Sequence, residues 1–227
     1  MKKNAGVFWL ILMVLAGSLI AGVTDGVIRP EYMIKTAVKI ITFSSLPVLY
    51  FIIYNDERKH LKTLFVPTKK ALFISIALGL GVFSVVVGAF FLLRTMIDFS
   101  AFTNNLITTA GVNKNNFIFV ALYICIVNSF FEELFFRAFA FLCLKRHTKR
   151  IFAYIFSALA FALYHTGMTA AFVAPWVFAL MLFGLFLGGI IFNFVDEKTE
   201  SIFPSWLCHM FANLATNTIG FILLSAA

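Results

Sequence analysis

Ten consecutive residues carry the chemistry that stands out: Asn128-Ser-Phe-Phe-Glu-Glu-Leu-Phe-Phe-Arg137. They lie within an apolar run from Phe117 to Leu144. An ionised side chain at bilayer depth costs several kcal/mol, with estimates from roughly 3 to above 10. Glu133 and Arg137 are i and i+4, so on a helix they share a face and pair as structural support. Glu132 points about 100° away and is left for other work. A purely structural ion pair between helices is the plain alternative for this stretch taken alone.

Two further polar positions interrupt apolar runs. His165 ends Phe161-Ala-Leu-Tyr-His165, and His209 opens His209-Met-Phe-Ala-Asn213, placing His209 and Asn213 on one helical face. Counted along their helices from the basic-loop end, Glu132, His165, His209 and Asn213 reach compatible depths, about 10 to 21 Å. Such a set supports peptide hydrolysis by activated water. A carboxylate in an apolar site serves as general base, and an imidazole beside it helps hold the water. A second histidine and an asparagine amide donate hydrogen bonds to the tetrahedral oxyanion. No Ser or Cys stands with a His and a carboxylate at a suggestive spacing, which argues against a nucleophilic enzyme. Two histidines and a glutamate (Glu132, His165, His209) are also a catalytic zinc set, although the HExxH signature is missing. The residues leave both mechanisms open.

These side chains need helices to hold them. Hydrophobic residues make up 62% of the chain and charged ones 12%, which describes a polytopic all-α membrane bundle. The 227 residues suit a single membrane domain, with 115–225 as its catalytic core. Apolar runs predict seven spans, six to eight being compatible, beginning with an uncharged stretch from Ala5 to Thr24 that reads as an anchor. Lys35 and Lys39 are expected to snorkel to the headgroups at the mouth of the second span. Residues 95–115 read as a loop with room for an interfacial helix. The uncharged stretch Ile151–Val195 holds two spans, broken near Thr166-Gly167-Met168-Thr169.

Net charge is +8, but it sits in short loops, which makes it a topology signal and excludes a nucleic-acid footprint. With the N-terminus inside, Lys2-Lys3 and loops 55–70, 145–150 and 196–200 hold 12 of the 18 Lys and Arg, and the other side holds 5. This bias predicts a cytoplasmic N-terminus in a plasma membrane, with the active site opening toward the cytoplasm. Cys125, Cys143 and Cys208 read as buried, inert thiols, and His60 and His147 as parts of solvated loops.

Taken together and in order, Glu132-Glu133-xxx-Arg137, Phe161-xxx-His165 and His209-xxx-Asn213 resemble the motifs of the CPBP family, the CAAX prenyl endopeptidases and bacteriocin-processing (Abi-type) membrane proteases. The resemblance covers roughly residues 115 to 225. It implies that Glu132 and His165 activate water, that His209 and Asn213 form the oxyanion site, and that no metal is needed, with zinc as the rival cofactor. It also implies a peptide or membrane-anchored protein as substrate within the lipid bilayer, in peptide maturation or bacteriocin self-immunity. Eukaryotic members of that family have eight spans, one more than the seven read here. Two other readings stay open from the sequence: a non-catalytic partner of another membrane protein, and a proton-coupled transporter.

Overall fold

In the computed structural model the chain is helical, and no strand occurs among the described residues, which are 2–66, 69–108, 112–170 and 173–226. In a bilayer every backbone polar group must be satisfied within its own segment, so apolar runs of this length become helices. They are α1 (Lys2–Val23), α2 (Tyr32–Ile53), α3 (Lys69–Leu93), α4 (Ser100–Thr108), α5 (Phe117–Cys143), α6 (Arg150–Tyr164), α7 (Pro175–Thr199) and α8 (Phe203–Ala226). Helices α1, α2, α3, α5, α7 and α8 are long and apolar enough to cross a membrane, and α6 is a shorter apolar helix. About seven spans is compatible with that count. α4 is the short helix for which the mixed stretch 95–115 left room. The break after α6 falls where the sequence places it, with Thr166–Thr169 as a single helical turn and Pro175 as the first residue of α7.

The basic loops 55–70 and 145–150 gather with the polar segment 196–200 at one end of the bundle. Arg146 donates from Nη2 and Nε to Glu57 Oε2 at 2.7 and 2.9 Å, and His147 Nε2 meets Glu57 Oε1 at 2.6 Å. Lys145 pairs with Glu200 at 2.7 Å, and Arg150 with Glu197 at 2.7 Å. The Leu64 carbonyl accepts from the Ile202 N–H at 2.8 Å and from the Ser201 hydroxyl at 2.9 Å. His147, which has no partner at helical spacing, is part of this cap. Its partner Glu57 is 86 and more residues away from Cys143 and His147 in sequence, so helical spacing gives no hint of it. Glu57, Cys143 and His147 also bring a carboxylate, a thiol and an imidazole within 4.8 Å of one another, though the carboxylate is already held by Arg146.

The core lies around the second half of α5. Every residue from Phe135 to Leu144 is buried. The Phe43 and Phe135 rings stack at 4.4 Å, and Phe136 meets Tyr164 and Phe161 edgewise or stacked at 5.4 Å. Aromatic pairs of this kind add about 0.5–1.5 kcal/mol each beyond their area. Large apolar side chains such as Leu19, Val27, Phe73, Leu92 and Phe119 point outward from the bundle, as a lipid-facing surface requires.

α1 closes against the turn that follows α6. A Cβ on Gly26 would lie 2.8 Å from the Gly167 Cα, and one on Gly167 would strike the Gly22 carbonyl group. Two backbones therefore touch directly, in the manner of small-residue contacts between membrane helices. Arg29, at φ 47°, turns the chain into α2.

Candidate active site

α5 is not a regular helix. Tyr123–Asn128 and Leu134–Cys143 are wound as wide π-helical turns, and the α-helical Ser129–Glu133 lies between them. Wide turns of this kind are frequent at functional sites. α8 reaches the carbonyls of the first wide segment: Trp206 Nε1 donates to the Ile126 carbonyl at 3.1 Å, and Asn213 Nδ2 donates to the Ile124 carbonyl at 3.0 Å. Ser129 accepts from Trp206 and donates to the Cys125 carbonyl.

Glu132 is buried and its two oxygens have different surroundings. Oε1 accepts from Tyr164 Oη at 2.6 Å and from Asn128 Nδ2 at 2.7 Å. Oε2 has no hydrogen-bond partner among the described residues. Instead it faces His209 Nε2 at 3.6 Å and His165 Nε2 at 3.9 Å.

The other ring nitrogens fix what those Nε2 atoms are. His165 Nδ1 lies 2.7 Å from the Phe161 carbonyl, which only accepts, so Nδ1 carries the hydrogen. His209 Nδ1 lies 2.7 Å from Glu133 Oε1 and donates to that carboxylate. In their neutral forms both imidazoles therefore turn a lone pair toward Glu132 Oε2. Three acceptor atoms converge across gaps too long for direct hydrogen bonds. Such a set is stable with a donor or a cation among them.

Glu133 has a second role beyond the expected one. Its Oε2 forms the i,i+4 ion pair with Arg137 Nε at 3.2 Å, as the spacing predicts, while its Oε1 holds His209. Arg137 is fully buried, with its guanidinium 4.2 Å from the Phe161 ring centre and 5.1 Å from that of Phe192. Such desolvated cation–π contacts contribute up to about 2 kcal/mol each. The second glutamate is thus both the counter-charge of a buried arginine and the group that orients an imidazole.

The structure brings Glu132, His165 and His209 together and places Glu133 and Arg137 behind them. Asn213 lies one turn further along α8, tied to the wide turn of α5. Lys39 was missed. It does not reach for the headgroups but is buried, with Nζ 3.7 Å from Glu132 Oε1, 3.9 Å from Asp25 Oδ2 and 5.2 Å from the centre of the Tyr164 ring. A lysine near a helix start normally signals snorkelling, and only the packing of α2 against α5 reverses that reading. Tyr164, the neighbour of His165 in the sequence, is a further donor to Glu132 that its apolar setting does not announce.

The donor set also fits a metal in its chemistry. Each histidine donates its far N–H to a carbonyl or a carboxylate, the arrangement common behind metal-bound histidines, although among the described residues only Glu57, Cys143 and His147 bring three ligand atoms within 4.8 Å of one another. No curated protein and no solved structure matches the chain. Residues 114–215, a little under half of the chain, match the family model described as type II CAAX prenyl endopeptidase Rce1-like, and they span every residue of this cluster except Asp25 and Lys39. That stretch is therefore similar to the Rce1-like type II CAAX prenyl endopeptidase family, and it contains the ordered motifs of Glu132, His165 and His209.

Proposed function

We propose that this protein is an intramembrane endopeptidase that hydrolyses a peptide bond with water activated by Glu132. The observation that carries the reading is the convergence of Glu132 Oε2, His165 Nε2 and His209 Nε2 around a gap suited to one water. Glu132 takes a proton from that water as its oxygen attacks the scissile carbonyl, and His165 holds the water on the other side. The developing oxyanion is met by the second N–H of Asn213 and by His209 in its protonated form, which Glu133 supports from behind. The proton on Glu132 then passes to the leaving amine, which restores the carboxylate.

Zinc is the competing reading. Glu132, His165 and His209 would hold the ion, which would polarise the carbonyl and supply a water that ionises near neutral pH. About one zinc per purified chain, lost in His165→Ala and His209→Ala, with activity abolished by chelation and restored by zinc, would replace the glutamate mechanism.

The substrate class in this reading is a small peptide or a membrane-anchored protein, cleaved in peptide maturation or bacteriocin self-immunity. Mass spectrometry of membrane peptides from cells carrying the wild type or Glu132→Ala tests it. Peptides that depend on Glu132 are expected; identical peptide sets would refute proteolysis.

The basic-loop end is assigned to the cytoplasm on its charge bias. Along α5 from that end, the stretch Phe135–Leu144 is enclosed. His165, Thr166, Gly167 and Asn213 keep partial exposure, and the first half of α5 is much more open than the second. The site in this reading is reached from that flank, from the end opposite the basic loops.

A further inference from the structure

Two ionisable side chains enter the site from helices that the matched family region does not include. Lys39 on α2 and Asp25, at the end of α1, are 8% exposed each. Asp25 Oδ2 is buried without a hydrogen-bond partner among the described residues, and its charge is answered by Lys39 at 3.9 Å. Lys39 Nζ in turn stands 3.7 Å from Glu132 Oε1. A buried ammonium at membrane depth persists only where negative charge balances it. Here the balance comes from two carboxylates, one of them the candidate base.

The placement is one-sided. Lys39, the Tyr164 hydroxyl and the Asn128 amide all address Oε1, while the imidazoles address Oε2. The carboxylate therefore has a fixed face and a working face. Without the ammonium, two hydrogen bonds would still hold Oε1, but Asp25 and Glu132 would be left as neighbouring carboxylates with no cation between them. Asp25 would then repel Glu132 from the side opposite the water, and the carboxylate would lose the position that keeps Oε2 on the imidazoles.

We propose that Lys39, backed by Asp25, is a positioning residue that completes the active site from the N-terminal hairpin, holding the fixed face of Glu132 so that the other oxygen stays on the water. This inference rests on the endopeptidase reading for its catalytic consequence, and on the packing of α2 against α5 for its physical basis.

The test uses the full chain, purified, with Lys39→Met, Lys39→Arg, Asp25→Asn, Glu132→Gln and the double variant Lys39→Met/Glu132→Gln. The kinetic probe is a synthetic peptide spanning a cleavage site that the Glu132 comparison identifies. Misplacing a reacting group by about 1 Å costs on the order of 100-fold. Lys39→Met is therefore expected to lower kcat by roughly 10- to 100-fold with KM little changed. Lys39→Arg, which keeps the charge, should recover most of that loss, and Asp25→Asn should fall between. A kcat for Lys39→Met equal to that of the wild type, or a Lys39→Arg enzyme as slow as Lys39→Met, would overturn the proposal. Thermal melting separates this result from failure of the endopeptidase reading. Lys39→Met should lower the melting temperature more in the wild-type background, where it strands two carboxylates, than in Glu132→Gln, where Asp25 alone loses its cation. Equal losses in both backgrounds overturn the pairing even if no peptide substrate is found. Coupled losses with no Glu132-dependent peptide would leave the Lys39–Glu132 pair standing and refute the protease.

Discussion

At the scale of single residues, the proposed mechanism divides the work between the two oxygens of Glu132. Glu132→Gln keeps the shape and the hydrogen bonds to Oε1 but removes the base, so turnover is expected to collapse while substrate binding persists, as read by product formation and by peptide cross-linking. Asn213→Ala would remove one donor of the proposed oxyanion site, a loss expected on the order of 100- to 1000-fold in rate. It also frees the Ile124 carbonyl, so its melting curve must be measured beside its kinetics. Arg137→Ala is a different kind of change. It strands Glu133 as an uncompensated buried carboxylate and empties the space between Phe161 and Phe192. Breaking a buried pair in this way costs about 3–5 kcal/mol, so folded protein in the membrane should fall along with activity. A normal melting profile and full abundance of Arg137→Ala would refute the pairing.

At the scale of elements, the site depends on contacts between helices that carry no catalytic group. The turn after α6 bears His165, and it is held by the contact of Gly167 with the backbone of α1 at Gly22 and Gly26. Gly167→Ala inserts a Cβ 3.1 Å from the Gly26 nitrogen and closer still to the Gly22 carbonyl oxygen. Neither neighbour is the flexible end of a side chain, so the turn must move. Overpacking of this kind typically costs about 1–3 kcal/mol. The variant is expected to lose turnover more than stability, because the displaced turn carries His165 away from Glu132. Parallel kinetics and melting curves for Gly167→Ala and for Gly184→Ala, where no atom lies within 4 Å of the added Cβ, would show whether the effect is specific to this contact.

At the scale of the whole molecule, the basic loops 55–70 and 145–150 converge on one end and are tied by Glu57. Burial alone would raise the Glu57 carboxyl, but hydrogen bonds and charge from Arg146 and His147 outweigh it and hold the group below the ordinary carboxylate range. A carboxyl depressed in the folded state adds stability that is present above its unfolded pKa and is lost as pH falls through the folded value. The melting temperature of the wild type should therefore drop on acidification below the ordinary carboxylate range, and Glu57→Gln should lower it at neutral pH and flatten that drop. Parallel acid dependence in both proteins would remove Glu57 from the account. The same end carries the charge bias that sets orientation, so a cysteine at position 149 should be labelled only from the cytoplasmic side.

The amino-acid sequence determined what composition and period can encode. Apolar runs long enough to cross a bilayer set the helices and the break near Thr166, since in lipid the backbone has few other ways to satisfy itself. The ordered polar positions marked Glu132, Glu133, Arg137, His165, His209 and Asn213, because charges and imidazoles stand out in a hydrocarbon setting. The i,i+4 rule found Glu133 with Arg137, a pair that local geometry alone can make. The tertiary structure decided the rest. It turned Lys39 from the lipid headgroups to Glu132, gave Glu133 a second partner in His209, and joined His147 to Glu57, all through contacts between separate helices that no spacing rule contains. The wide turns of α5 were equally hidden, because the same apolar side chains suit either winding. They set which carbonyls face α8, and so where Asn213 is held. Which oxygen of Glu132 is fixed and which is left to work follows from four helices meeting at one carboxylate, and that meeting exists only once the bundle has closed.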